Sequence, residues 1–231
     1  AKKIGFNDFS GGIAASGGTL SNLNALIAAR NNAGLGTNPN SVLLISEDAH
    51  SSFIKCIRIM GLDAANLVRI KTDNQGRMDI NNLRKSLNKC LIENKKIFAI
   101  VATLGTTVRG AIDPIKEISE ICKERNIWLH IDGSIGGIFA LSSIQIEGLN
   151  NINQANSITI NPQKIIGITK TSSLLLVANM NTLQKTFSTG LPYITSKEDI
   201  VNRGEIGIQG SRPAEVINCL LYTSPSPRDL Y

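Results

Sequence analysis

Aromatic side chains are scarce in this sequence: six Phe, three Tyr and one Trp make up 4% of 231 residues. A surface that stacks nucleic-acid bases needs such rings, and the basic excess does not replace them. Lys and Arg number 24 against 18 Asp and Glu, a formal net charge of +6, yet the densest basic runs are only Lys2-Lys3 and Lys95-Lys96. Charge spread in this way describes a solvated surface that favours anionic small molecules over nucleic acid. Histidine is limited to His50 and His130, and the four cysteines, Cys56, Cys90, Cys122 and Cys219, form no C-x-x-C pair. No zinc pattern results, and the thiols read as reduced, buried side chains of a cytoplasmic protein. No apolar run reaches the roughly 18–20 residues of a membrane span. The apolar stretch of a signal peptide is missing after Lys2-Lys3, and so is an initiator Met.

What is present is enough to fold. A hydrophobic content of 42% supplies a sizeable core and excludes disorder. One domain is expected over residues 1–218. The segment 219–231 departs from the rest, with a Ser/Pro-alternating run through Ser224, Pro225, Ser226 and Pro227. It resembles the translation of a sequencing-library adapter and is set apart as a non-native tail, which would make the genuine sequence a piece cut at both ends.

Within 1–218, short β-branched runs alternate with amphipathic helical ones. Strands are expected at Val42–Ser46, Leu67–Lys71, Ile97–Thr103, Ile127–Asp132, Ser157–Ile160 and Ser173–Val177. Several are continuous apolar runs, as strands covered on both faces require. Leu20, Leu23, Leu26 and Ile27 repeat at helical spacing, as do Leu83, Leu87 and Leu91. Asp79 is placed to cap the second of these helices, and Asp113-Pro114 to open a third ahead of Ile115, Ile118 and Ile121. A helix near Phe53 should end at Gly61. The alternation predicts an α/β fold: a mainly parallel, doubly wound sheet flanked by helices.

Four places can carry chemistry. Ser16-Gly17-Gly18-Thr19 precedes a helix whose first N–H groups lack partners, so a phosphate can sit there. An ordinary glycine turn with Thr19 or Ser21 as N-cap uses the same residues. Asp132 ends an apolar strand, where open α/β sheets bind ligands, with Gly133, Gly136 and Gly137 leaving room beside it. A strand-end Asp can equally cap the next turn. Lys164, in Asn161-Pro162-Gln163-Lys164, precedes Ile165-Ile166, and an apolar setting would free its amine to act as a nucleophile. A surface lysine after a turn is the plainer reading. His50 stands at a strand-to-helix junction, where capping by Asp48 or Ser51 would explain its neighbours. His130 shares the Asp132 side of the strand and reads as a core residue or one lying behind the site.

In this order the four sites resemble the layout of fold-type I pyridoxal-phosphate enzymes. More narrowly, the chain is similar to the group II amino-acid decarboxylases. The stretches that carry this resemblance are SGGTLSNLNALIAAR (16–30), Glu47–Ser52, GRMD (76–79), VATLGTT (101–107), Gly110–Pro114, WLHID (128–132), SITINPQK (157–164) and QGSR (209–212). The resemblance implies pyridoxal 5'-phosphate as cofactor on the large domain of that fold. Lys164 would carry it as a Schiff base, Asp132 would pair with the pyridine nitrogen and His50 would stack on the ring. Gly18, Thr19 and Asn161 would hold the phosphate, with Thr107 close to the cofactor beside Asp132. The implied activity is decarboxylation of an L-amino acid in a homodimer about twice this length per subunit, so this chain alone is expected to be inactive. Another fold-type I lyase or aminotransferase, or a non-catalytic homologue acting as an interaction protein, are the alternatives. Two departures from the family pattern bear on the substrate: Gln163 stands where the family commonly has His, and Ile135 where it has Tyr.

Overall fold

The computed structural model describes residues 1–142, 146–168, 172–189 and 205–210. Its strands are β1 (Gly11–Ala15), β2 (Ser41–Ser46), β3 (Leu67–Ile70), β4 (Lys96–Thr103), β5 (Trp128–Gly133), β6 (Ser157–Ile160) and β7 (Ser173–Val177). The helices are α1 (Gly18–Asn32), α2 (Ser52–Ile59), α3 (Ile80–Ile92), α4 (Ile115–Arg125), α5 (Pro162–Ile165) and α6 (Met180–Phe187). All seven strands form one sheet in the order β1-β7-β6-β5-β4-β2-β3. The run from β3 to β6 is parallel, and β7 pairs antiparallel with both β6 and β1.

The expected α/β sheet is therefore present, with an antiparallel edge that the sequence reading did not anticipate. All six expected strands form, within a residue of their expected ends. The seventh, β1, was missed because GGIAA carries two glycines and only a short apolar alternation. It pairs on one side alone, and its burial alternates between half-buried and buried.

The central strands are buried along nearly their whole length because successive side chains enter different cores. On one face Val42, Leu44, Ile100, Ala102, Leu129 and Ile131 meet Leu83, Leu87 and Cys90 of α3 and Ile118, Ile121 and Cys122 of α4. On the other, Leu43, Ile45, Phe98 and Val101 meet Leu23 and Leu26 of α1 and Phe53 and Ile57 of α2. Burying one such Leu or Ile side chain contributes about 1.5–3 kcal/mol. Cys56, Cys90 and Cys122 are free and buried, and burial pushes the Cys56 and Cys122 thiols up to about 12. Cys219, like the whole 219–231 segment, lies outside the described residues. No helix among the described residues is long and apolar enough to cross a membrane.

Most helix boundaries follow from the sequence. Asp79 accepts a hydrogen bond from Asn82 N at 2.6 Å, a cap that contributes about 1 kcal/mol. Gly61 follows the last residues of α2 with φ 72°. The Asp113-Pro114 expectation needs correction. Pro114 is itself the N-cap of α4, with no side-chain cap. The Asp113 carboxylate turns inward and accepts from Met78 N and Thr103 N, both at 2.7 Å. Tying two segments to the end of β4 satisfies two buried N–H groups, which capping a half-solvated helix end would leave unpaired. Burial pushes this carboxyl up to about 6 despite those bonds.

Candidate active site

The segment after β2, the carboxyl ends of β5 and β6 and the amino end of α1 surround a cavity of about 420 Å³, within the range of small-ligand sites. Helix α1 opens at Gly18 after N-cap Gly17, with no capping side chain and no acidic residue in its first turn. Gly17, Gly18 and Thr19 line the cavity, and no acidic side chain within that first turn neutralises its leading N–H groups. Gly18 is needed for close approach: a Cβ there would lie 2.5 Å from Asn161 Nδ2 and 2.9 Å from Ser134 Oγ. Asn161, at the end of β6, is buried, and its Oδ1 accepts from Ser173 Oγ at 2.5 Å. The expected cap by Thr19 or Ser21 is not made. Thr19 lines the cavity, and Ser21 is buried against Ser173.

Asp132 lies at the floor of the cavity, 4% exposed. Its Oδ1 accepts from Ser134 N at 3.1 Å and its Oδ2 from Asn22 Nδ2 at 3.2 Å. The strand register puts Thr103 and Thr159 on either side of it. Both threonine hydroxyls are buried without a hydrogen-bond partner among the described residues. The room expected beside Asp132 is instead filled by packing. A Cβ on Gly136 would meet Leu104 O at 2.5 Å, one on Gly137 would meet Ile160, and one on Gly133 would meet Thr159 O. These glycines let the 136–141 turn press against the sheet.

Lys164 stands on α5 and lines the same cavity. The apolar enclosure expected for it is not present, because Ile165 and Ile166 are 46% and 47% exposed and Lys164 is exposed as well. His50 is also exposed and lines the cavity. Its Nδ1 accepts from Ser52 N at 3.2 Å, so the ring proton of the neutral form sits on Nε2. Neither Asp48 nor Ser51 caps α2 through its side chain: Ser51 is the N-cap without such a bond, and Asp48 pairs with Arg109 at 3.4 Å. A narrow recess continues the cavity past Asp132 and Lys164 to Thr107 and Ile135. Thr107 rides on a loop turned by Gly105 at φ 89°, a conformation that favours glycine.

All seven sequence-expected site residues, Gly18, Thr19, His50, Thr107, Asp132, Asn161 and Lys164, thus border one cavity or its recess. Asn22 and Ser134 hold Asp132 and were missed. Asn22 carried a legible signal, since it falls one turn before Leu26 on a helix face that is otherwise apolar. Ser16 N donates to Gln209 Oε1 at 3.1 Å, which brings part of the expected QGSR stretch to the cavity rim. Arg212 lies outside the described residues. Gln163 lines the cavity and its Oε1 accepts from Ser172 N at 2.8 Å.

A family model described as the pyridoxal-dependent decarboxylase conserved domain matches residues 1–222. The chain belongs to this family. Aromatic-L-amino-acid decarboxylase of Bacillus atrophaeus is 33% identical over 213 residues, covering 90% of this chain and 44% of that relative. Acidic amino acid decarboxylase GADL1 of Homo sapiens is 32% identical over 214 residues, covering 87% and 41%. The crystal structure of mouse CSAD superposes with a TM-score of 0.89 at 26% identity, over 99% of this chain and 50% of that one. Oryza sativa TDC, solved with PLP and tryptamine, has a TM-score of 0.86 at 19% identity over 100% and 51%, a likeness of fold alone. The chain spans less than half the length of the curated relatives it matches.

Proposed function

We propose that the protein to which this chain belongs binds pyridoxal 5'-phosphate and decarboxylates an L-amino acid to its amine and carbon dioxide. The observation that carries this reading is the convergence of an amide-lined glycine cradle, a buried carboxylate and a lysine amine on one cavity. The residues fit the group. Gly18 leaves the space that a phosphate needs beside Asn161, and the start of α1 supplies N–H donors and the favourable end of its dipole. When bound, the cofactor supplies an aldehyde that condenses with amines and a protonated ring that accepts the electron pair of the broken Cα–carboxylate bond.

The chain's own groups would divide the work. Lys164 Nζ would attach the cofactor and yield its place to the substrate amine. Asp132 would accept the pyridine N–H and keep that proton in place. Gly18, Thr19 and Asn161 would hold the phosphate, His50 would cover the ring, and Thr107 would close the recess beside it. Gln163 and Ile135 face the space in which a substrate side chain would lie. Exposed Val108, Ile165 and Ile166, each within two positions of a site residue, would be covered by a second copy in a homodimer. The free thiols suit a reducing cytoplasm.

The test is to add pyridoxal phosphate to the full-length protein, reduce with borohydride and map the modified peptide. Cofactor fixed on Lys164, and lost in Lys164→Ala, is the expected result, followed by carbon dioxide release from an amino-acid panel. No adduct on the wild-type protein would overturn the reading.

A further inference from the structure

Behind Asp132 a directed chain of hydrogen bonds runs through the interior between β5, β6 and α1. Trp128 Nε1 donates to Ser157 Oγ at 2.8 Å. Ser157 Oγ lies 2.8 Å from His130 Nδ1, His130 Nε2 lies 3.1 Å from Asn22 Oδ1, and Asn22 Nδ2 donates to Asp132 Oδ2 at 3.2 Å. Asn22, His130 and Ser157 are 0–1% exposed.

The two ends fix the direction. The Asp132 carboxylate can only accept, so the Asn22 amide turns its NH₂ toward it and its Oδ1 toward His130. His130 Nε2 therefore carries the proton that Oδ1 accepts, and in the neutral ring Nδ1 is left as an acceptor. The Trp128 indole N–H can only donate, so the Ser157 oxygen accepts it and gives its own hydrogen to Nδ1. Burial holds the imidazole in its neutral form.

We propose that Asn22 is the positioning residue of the site: it fixes the Asp132 carboxylate for the pyridine nitrogen while keeping His130 from bonding to it directly. A neutral amide holds the carboxylate without cancelling its charge, and that charge remains available to a protonated ring. A histidine in direct contact would offer the carboxylate a competing proton donor. The inference rests on the cofactor reading above, and its test separates the two.

The two histidines of this segment, His50 and His130, are observed by ¹⁵N-histidine labelling of the full-length protein and assigned by their loss in His50→Gln and His130→Gln. In the cofactor-free protein the His130 ring should show one neutral tautomer, protonated on Nε2. Asn22→Ala and Asn22→Leu remove both bonds. Each should lose the single tautomer and bind pyridoxal phosphate roughly 10- to 100-fold more weakly, the loss expected for one buried hydrogen bond to a charged group. Ser157→Ala, remote from the cavity, should keep the ring protonated on Nε2 because Asp132 still orients Asn22, and loss of that tautomer would overturn the inference even if the Asn22 variants do not fold. A His130 ring protonated on Nδ1 in the wild-type protein, or folded Asn22 variants that bind the cofactor as the wild type does, would overturn the inference. Failure of the wild-type protein to bind the cofactor would instead overturn the functional reading, and the tautomer measurement would still stand.

Discussion

Gly18→Ala separates what the start of α1 does for the fold from what it does for the ligand. The added Cβ would stand 2.5 Å from Asn161 Nδ2 and 2.9 Å from Ser134 Oγ, so something must move by nearly an ångström. Asn161 is poorly placed to yield. It is buried, and its Oδ1 is tied to Ser173 Oγ, which is tied to Ser21 Oγ at 2.7 Å. Overpacking of this kind costs about 1–3 kcal/mol. Replacing Gly by Ala in a helix returns up to about 1 kcal/mol, less at its first position. The net destabilisation is then about 1–2 kcal/mol, which a domain of ordinary stability survives. Cofactor affinity should fall further, by tenfold or more, because the displaced Asn161 walls the cavity where the phosphate is proposed to sit. Urea unfolding of the cofactor-free variant gives the first quantity, and a spectroscopic titration with pyridoxal phosphate gives the second. A folded Gly18→Ala protein with affinity within about twofold of wild type would refute the reasoning.

The buried groups Asp113 and His130 make opposing predictions about pH. Burial raises Asp113 from its ordinary 3.8 to about 6, so protonating it favours the fold as pH falls through that window. Burial lowers His130 from 6.5 to about 4, so the stability it contributes is full above its unfolded value and is lost as pH falls toward 4. Asp113→Asn removes the offsetting group, and its stability should decline more steeply between pH 6 and 4 than that of wild type, by up to about 3 kcal/mol. Equal slopes in denaturant titrations across that range would contradict this. Cys56 and Cys122, buried with thiols near 12, should resist alkylation in the native state and react once unfolded. Peptide mapping of native and denatured samples reads this out.

Much of the cavity could be read from residue order alone. Gly18, Asp132 and Lys164 each stand at a strand or helix end that the local pattern marks, and the parallel sheet brings such ends to one edge. The environment of each group was less legible. Lys164 lies on an exposed turn beside half-exposed Ile165 and Ile166, because apolar neighbours in sequence do not guarantee apolar neighbours in space. The glycines after Asp132 read as open room but serve close packing against Leu104 and Ile160. Asp113 looked like a cap because it precedes Pro114, yet two buried N–H groups from distant segments claimed its carboxylate. Strand β1 was missed because two glycines interrupt its apolar alternation.

The sequence by itself determined the alternation of strands and helices, the single sheet and the candidate residues at its carboxyl edge. Period, capping residues and glycine placement act over a few neighbours, and that range is written in the order of residues. Only the tertiary structure decided which polar groups meet. Asn22 reaches Asp132 across 110 positions and His130 across 108, and Ser173 reaches Ser21 across 152. Such pairings depend on strand order and on how α1 lies on the sheet. Asn22, Ser21 and Ser173 take the partners the fold brings within reach, because a buried polar group left unpaired costs about 1–3 kcal/mol, more than a local preference supplies.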